Sequence, residues 1–203
     1  MTEFVSLSSA DGELYADQME RIKARIDAAL EFLQQPPVYA SVESGLLQLR
    51  LALEMVALSS LVTNRKAVEA VSTAFAKKEH NDALKLVRQL NPEFWPVPFT
   101  RIPNDTGEPI EMRALTSGYL TEDEYLPTWG RLSAWLHASN PYQSMPEPSE
   151  GAAFGLQVAD KLIALLNQHY LYLLERGEGV ACIMNESTSG RVLVTGFVRA
   201  QIN

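Results

Sequence analysis

Residues 45–62, GLLQLRLALEMVALSSLV, are apolar almost all the way round a helix, and this run constrains the fold more than any other part of the chain. A helix without a polar face has to be surrounded by other elements. It predicts a central, buried helix opening at Ser41 as N-cap, with Glu43 and Ser44 in the first turn, and reaching Val62. Two charges interrupt it, Arg50 and Glu54. They lie four apart and share a face. Burying either alone is costly, so they read as a salt bridge inside the bundle.

Partners for such a helix are easy to find. Before it, Met19, Ile22, Ile26, Ala29, Leu30 and Leu33 recur at spacings of three and four until Gln35-Pro36-Pro37 stops the pattern. After it come shorter helical stretches over 66–77 and 81–90. Thr121, with Glu124 three residues on, is a capping-box signature that opens another helix running to Pro141; Pro127 places its start near Leu126. The acidic run Glu122-Asp123-Glu124 complements the dipole of its first turn. A long helix then spans about Ser149–Arg176, with Phe154, Val158, Leu162, Leu165, Leu166, His169 and Leu173 near one stripe.

Two segments break this helical character. Five prolines between Asn91 and Pro109 exclude a regular helix and oppose a long ordered strand, while Phe94, Trp95 and Phe99 give more aromatic surface than a linker carries. This predicts an extended segment packed on the helices. The end of the chain reads as a β-hairpin, 180–185 against 191–198 around NESTSG, which is too small to stand alone. The 203 residues suit one domain, with a loose arm over 1–14, a mainly α bundle of five to seven helices over 15–176 and a small hairpin over 179–200.

The net charge of −8 disfavours a broad electrostatic grip on nucleic acid or an anionic membrane. The single cysteine, Cys182, excludes an internal disulfide or a cysteine-rich zinc site and reads as a small buried strand residue. The sequence shows no signal-peptide pattern and no apolar stretch of spanning length, so the expected location is cytoplasmic and away from membranes. Gly-rich phosphate loops and metal-binding helix motifs are absent, so neither a metal nor a cofactor is implied.

The chemistry-bearing stretch is YLPTWGRLSAWLHASNPY, residues 125–142. Arg131 and His137 lie six apart, about 240° round an ideal helix and some 9 Å along it, so one regular helix holds them on different faces. Ser133 and His137 are four apart and share a face, a Ser/His pair without an acidic orienter. His80, in KKEHND, reads as a solvated helix boundary, and His169 as a hydrogen-bonded core or interface histidine. Trp95, Trp129 and Trp135 are candidates to line a small-ligand pocket.

Arg131, then LSAWL, then His137 resembles the Arg, four to six residues, His pattern of the HEPN superfamily, all-helical proteins that include nucleases. LRLALEMV is similar to the Arg-x-x-x-Glu helix of some bacterial HEPN-like families, and RLSAWLHASNP to their endings. The likeness extends over about 41–174 by the order of helices. It implies a metal-independent ribonuclease of a toxin, phage-defence or stress system. His137 would activate a ribose 2′-hydroxyl, Arg131 would stabilise charge on the phosphate, and Ser133 would be auxiliary. A homodimer would gather two copies of the motif around RNA. The competing expectation is a non-catalytic helical module that dimerises or holds another protein.

Overall fold

The structure is a computed structural model, and it describes residues 9–62, 65–77, 80–103, 109–137, 146–173 and 178–198. Helix α1 (Ser9–Leu33) buries Tyr15, Met19, Ile22, Ile26, Ala29 and Leu33 along one stripe. It begins six residues earlier than the sequence pattern suggested, with Asp11 in its first turn and fully buried Tyr15 tying the turn down, so the expected loose arm is helical from Ser9. Residues 1–8 lie outside the described part.

Helix α2 (Tyr39–Ser59) is the central element, packed on α1 and on two later helices, α5 (Glu122–Trp135) and α6 (Pro148–Leu166). Val42, Leu46, Leu49, Ala52, Leu53, Val56 and Ala57 are all buried, as the unbroken apolar run requires. It opens two residues before Ser41. Val38 is the N-cap, and Ser41 closes the end from N3, donating through Oγ to the Val38 carbonyl at 3.0 Å. Leu33 of α1 fits tightly against both α2 and α6, since a Cβ on Gly45 would stand 2.6 Å from its Cγ and one on Gly155 2.7 Å from its Cδ1. Helices α3 (Arg65–Ala76) and α4 (His80–Leu90) form as expected.

The β-structure is larger than a hairpin. Strands β1 (Val97–Pro103), β2 (Pro109–Ala114), β3 (Gln168–Tyr172), β4 (Glu178–Ile183) and β5 (Leu193–Val198) make an antiparallel sheet in the order β2-β1-β3-β4-β5. The β4–β5 hairpin is the one the sequence predicted. Its loop is tied by Glu186, whose carboxylate accepts the Thr188 and Ser189 amides and is held well below the usual carboxylate range, at about 2, mainly by the Thr188 amide. Strand β3 replaces the last turns of the expected 149–176 helix, which ends at Leu166. His169 and Leu171 fit a period of two as well as a helical stripe, and pairing with β1 and β4 decides between them.

The proline-rich segment also forms sheet, against the sequence expectation. Prolines are tolerated because Pro103 and Pro109 sit at the end of the β1–β2 ladder, where the register shifts, while Pro98 uses its carbonyl to accept from Leu115 N–H at 2.9 Å. The sheet lies on α1 and α6, with His169, Leu171, Val180 and Cys182 facing the helices. No helix among the described residues is long and apolar enough to cross a membrane.

Candidate functional site

Helix α5 carries the residues singled out by the sequence. Its capping box forms as predicted: Thr121 Oγ1 accepts from Glu124 N–H, and the Thr121 amide donates to the Glu124 carboxylate at 3.0 Å. Lys161 of α6 binds the same carboxylate and, ahead of the cap, holds its pKa below the usual range. Pro127 sits inside the helix rather than marking its start. The helix ends at Trp135, well before Pro141, with Leu136 as C-cap.

This early end changes the relation between Arg131 and His137. His137 lies in a bend beyond the last turn and is exposed, so a helical angle no longer describes the pair. Arg131 is exposed too, with its guanidinium carbon 3.9 Å from the centre of the Phe154 ring on α6. Ser133 is buried, and its hydroxyl has no hydrogen-bond partner among the described residues. The expected Ser133–His137 pair therefore does not form: one side chain turns into the helical core and the other has left the helix.

Arg50 and Glu54 do pair, Nε to Oε1 at 3.3 Å, and the ion pair is only about one-fifth exposed. Trp129 extends it, donating Nε1–H to the same Glu54 oxygen at 3.1 Å while the Arg50 guanidinium carbon lies 4.9 Å from the centre of the Trp129 ring. The arrangement ties α2 to α5 and lets two partly buried charges satisfy each other. Tyr125, one turn before Trp129, is fully buried beside it; burial, and then the Glu54 charge, push its phenol up.

The three tryptophans make separate contacts. Trp95 donates to the Leu120 carbonyl at 3.2 Å and meets Tyr125 edge-on. Trp129 belongs to the Arg50–Glu54 pair. Trp135 packs where a Cβ on Gly151 would meet its ring at 2.8 Å. Trp129 and Trp135 are used in helix packing.

His169 is a core histidine, on a strand rather than a helix. Its Nδ1–H donates to the Leu166 carbonyl at 2.7 Å, which leaves Nε2 to accept from the Tyr15 hydroxyl at 2.7 Å. Burial lowers its pKa to about 4, against the opposing pull of the Leu166 bond. Cys182 stands opposite it in the β3–β4 ladder, buried and free, and burial raises its thiol pKa. These groups are sealed from solvent and suit a structural role. His80 opens α4.

One feature was not anticipated: a cleft lined by Trp95, Tyr119, Tyr170 and Tyr172 beside the proline-rich segment. Its signal was present in QHYLY, whose alternation sends His169 and Leu171 inward and both tyrosines to the other face. Among the described residues no group of three or more His, Cys, Asp or Glu side chains is arranged to hold a metal ion. No protein-family model matches the chain, and no curated protein or solved structure matches it either.

Proposed function

We propose that the chain is a HEPN-like, RNA-directed protein in which Arg131 and His137, contributed by two copies, form a metal-independent ribonuclease site. The observation that supports this reading is that both side chains are exposed on one short segment, with the Arg131 charge carried on the Phe154 ring. A neutral His137 would take the proton from a ribose 2′-hydroxyl. The oxygen then attacks the adjacent phosphorus, and the bond to the 5′-oxygen breaks. The products are a 2′,3′-cyclic phosphate and a 5′-hydroxyl, the proton passing to the leaving oxygen. Arg131 offers a fixed positive charge to the phosphate oxygens as negative charge develops. Ser133, being buried, has no part in it. A toxin, phage-defence or stress role in the cytoplasm is the setting that the resemblance suggests.

The test is cleavage of RNA in the presence of a chelator, with His137→Ala, Arg131→Ala and a mixture of the two. Each variant alone should lose most activity. In mixed dimers one of the two composite sites keeps both wild-type residues, so mixing should restore roughly a quarter of it. Cleavage that survives His137→Ala ends this assignment, and failure of the mixture to recover ends the two-copy arrangement. A second reading, a non-catalytic module that dimerises or holds a protein, is favoured by the sheet's outermost strands. Met112 on β2 and Leu193 on β5 are exposed apolar residues there. Wild-type protein that leaves RNA intact would select it.

A further inference from the structure

We propose that the outer side of α1 is the contact surface of a homodimer, in which two copies pack α1 against α1, antiparallel, about a two-fold axis level with Met19. Three sides of this helix do different things. Tyr15, Met19, Ile22, Ile26, Ala29 and Leu33 enter the core. One flank holds the β4–β5 hairpin: Lys23 donates to the Gly190 carbonyl at 2.7 Å, and Glu20 accepts from the Val192 amide at 2.8 Å. The side facing out carries Ala10, Leu14, Asp17, Arg21 and Ala24, all exposed, and half-buried Ala28. These positions follow one another in alternating steps of four and three. That spacing is the seam along which one helix packs on another.

The seam complements itself when reversed. Leu14 and Ala24 are equidistant from Met19, as are Asp17 and Arg21, and Ala10 and Ala28. In the antiparallel pair Leu14 therefore comes level with the partner's Ala24, where a small side chain leaves room for it. Asp17 likewise comes level with the partner's Arg21. A two-fold axis makes each match twice. Parallel packing would instead set Asp17 beside Asp17 and Arg21 beside Arg21, so charge fixes the direction. Among the described residues neither Asp17 nor Arg21 has an ion-pair partner within its own chain.

A groove widens the contact. Leu14, Asp17, Arg21 and Ala24 form one wall of a hollow of about 730 Å³, and Met55, Leu58 and Val68 of α2 and α3 lie in the other. Bonds across it hold α1 to α2: Gln18 donates to the Met55 carbonyl at 3.2 Å, and Arg25 to Gln48 Oε1 at 2.8 Å. The apolar wall is thus set before a second copy arrives. Leu14, 52% exposed in the single chain, would be covered by the partner's helix. The seam from Ala10 to Ala28 runs about 27 Å, a short contact that suits a dimer of micromolar affinity. A foreign helix would need only the apolar groove. The reversed match of size and charge is a property of the chain with itself.

Sedimentation velocity of the full chain, from low micromolar to several hundred micromolar, tests the proposal. Wild type should pass from monomer to dimer, and Leu14→Glu should stay monomeric. Asp17→Arg and Arg21→Asp should each weaken the dimer roughly tenfold, since two attractions become repulsions. Mixed together, those two variants should associate, because a chain basic at both positions then faces one acidic at both. The double variant Asp17→Arg/Arg21→Asp should dimerise like wild type. Wild type that stays monomeric throughout overturns the proposal. A dimer indifferent to Leu14→Glu and to the single charge variants overturns it too, by placing the contact on another surface. Should Leu14→Glu fail to fold, the charge variants decide, and a mixture that does not associate rejects the antiparallel register. The readout is mass and involves no RNA, so this proposal does not rest on the nuclease reading and the two fail separately.

Discussion

His169 donates its one ring N–H to the Leu166 carbonyl and accepts a hydrogen bond from the Tyr15 hydroxyl, so the folded chain holds it neutral in a fully buried place. Its pKa falls from the ordinary 6.5 to about 4 on folding. The unfolded chain therefore binds a proton that the folded chain refuses. The stability gained from a neutral His169 is complete above about pH 6.5 and is lost as the pH falls towards 4. Between pH 7.5 and 5.5 the loss should be about 1–1.5 kcal/mol. Urea unfolding of wild type against a Tyr15→Phe/His169→Leu double variant measures it: the stability difference should shift by that amount between the two pH values. A difference independent of pH would exclude His169 as the titrating group. At this scale the sequence was informative. The burial of Cys182 and His169 and the Arg50–Glu54 pair all follow from charge and polarity in apolar surroundings. It did not show that Ser133 and His137 part company, because that depends on where α5 ends.

Elements were legible where local chemistry fixes them. Thr121 and Glu124 opened α5 as their spacing requires, since the reciprocal bonds lie within four residues. Thr121→Ala should cost about 1 kcal/mol in chemical denaturation, and Thr121→Ser should recover most of it. Equal stability of the Ala variant would mean that the Lys161 bond alone holds that end. Elements were misread where a distant partner decides. QHYLY suits either period, and only β4 and β1 arriving alongside make it a strand. The proline-rich segment looked hostile to sheet because proline removes donors. It forms β1 and β2 because the prolines at the ladder end have no amide that needs pairing there.

For the whole molecule, the sheet order places β3, which carries His169 and both cleft tyrosines, between β1 and β4. Amide hydrogen exchange should therefore find β3 and the middle of α2 slowest and β2, an edge strand, fastest among the strands. Fast exchange throughout β3 would contradict the assigned order. The acidic balance also belongs to this scale: an RNA site of the kind proposed would rely on the local pair Arg131 and His137 rather than on a broad basic surface. The sequence by itself determined the mainly helical class, the buried central helix, the capped start of α5 and the final hairpin. Each rests on periodicity or contacts within a few residues. Only the tertiary structure decided that the hairpin joins a five-stranded sheet, that α6 gives way to β3, and that four aromatic rings meet on one face. Those outcomes depend on which strands meet, from Tyr172 with Gly179 nearby to Pro98 with His169 across the chain, and that choice is not written in the periodicity of either segment alone.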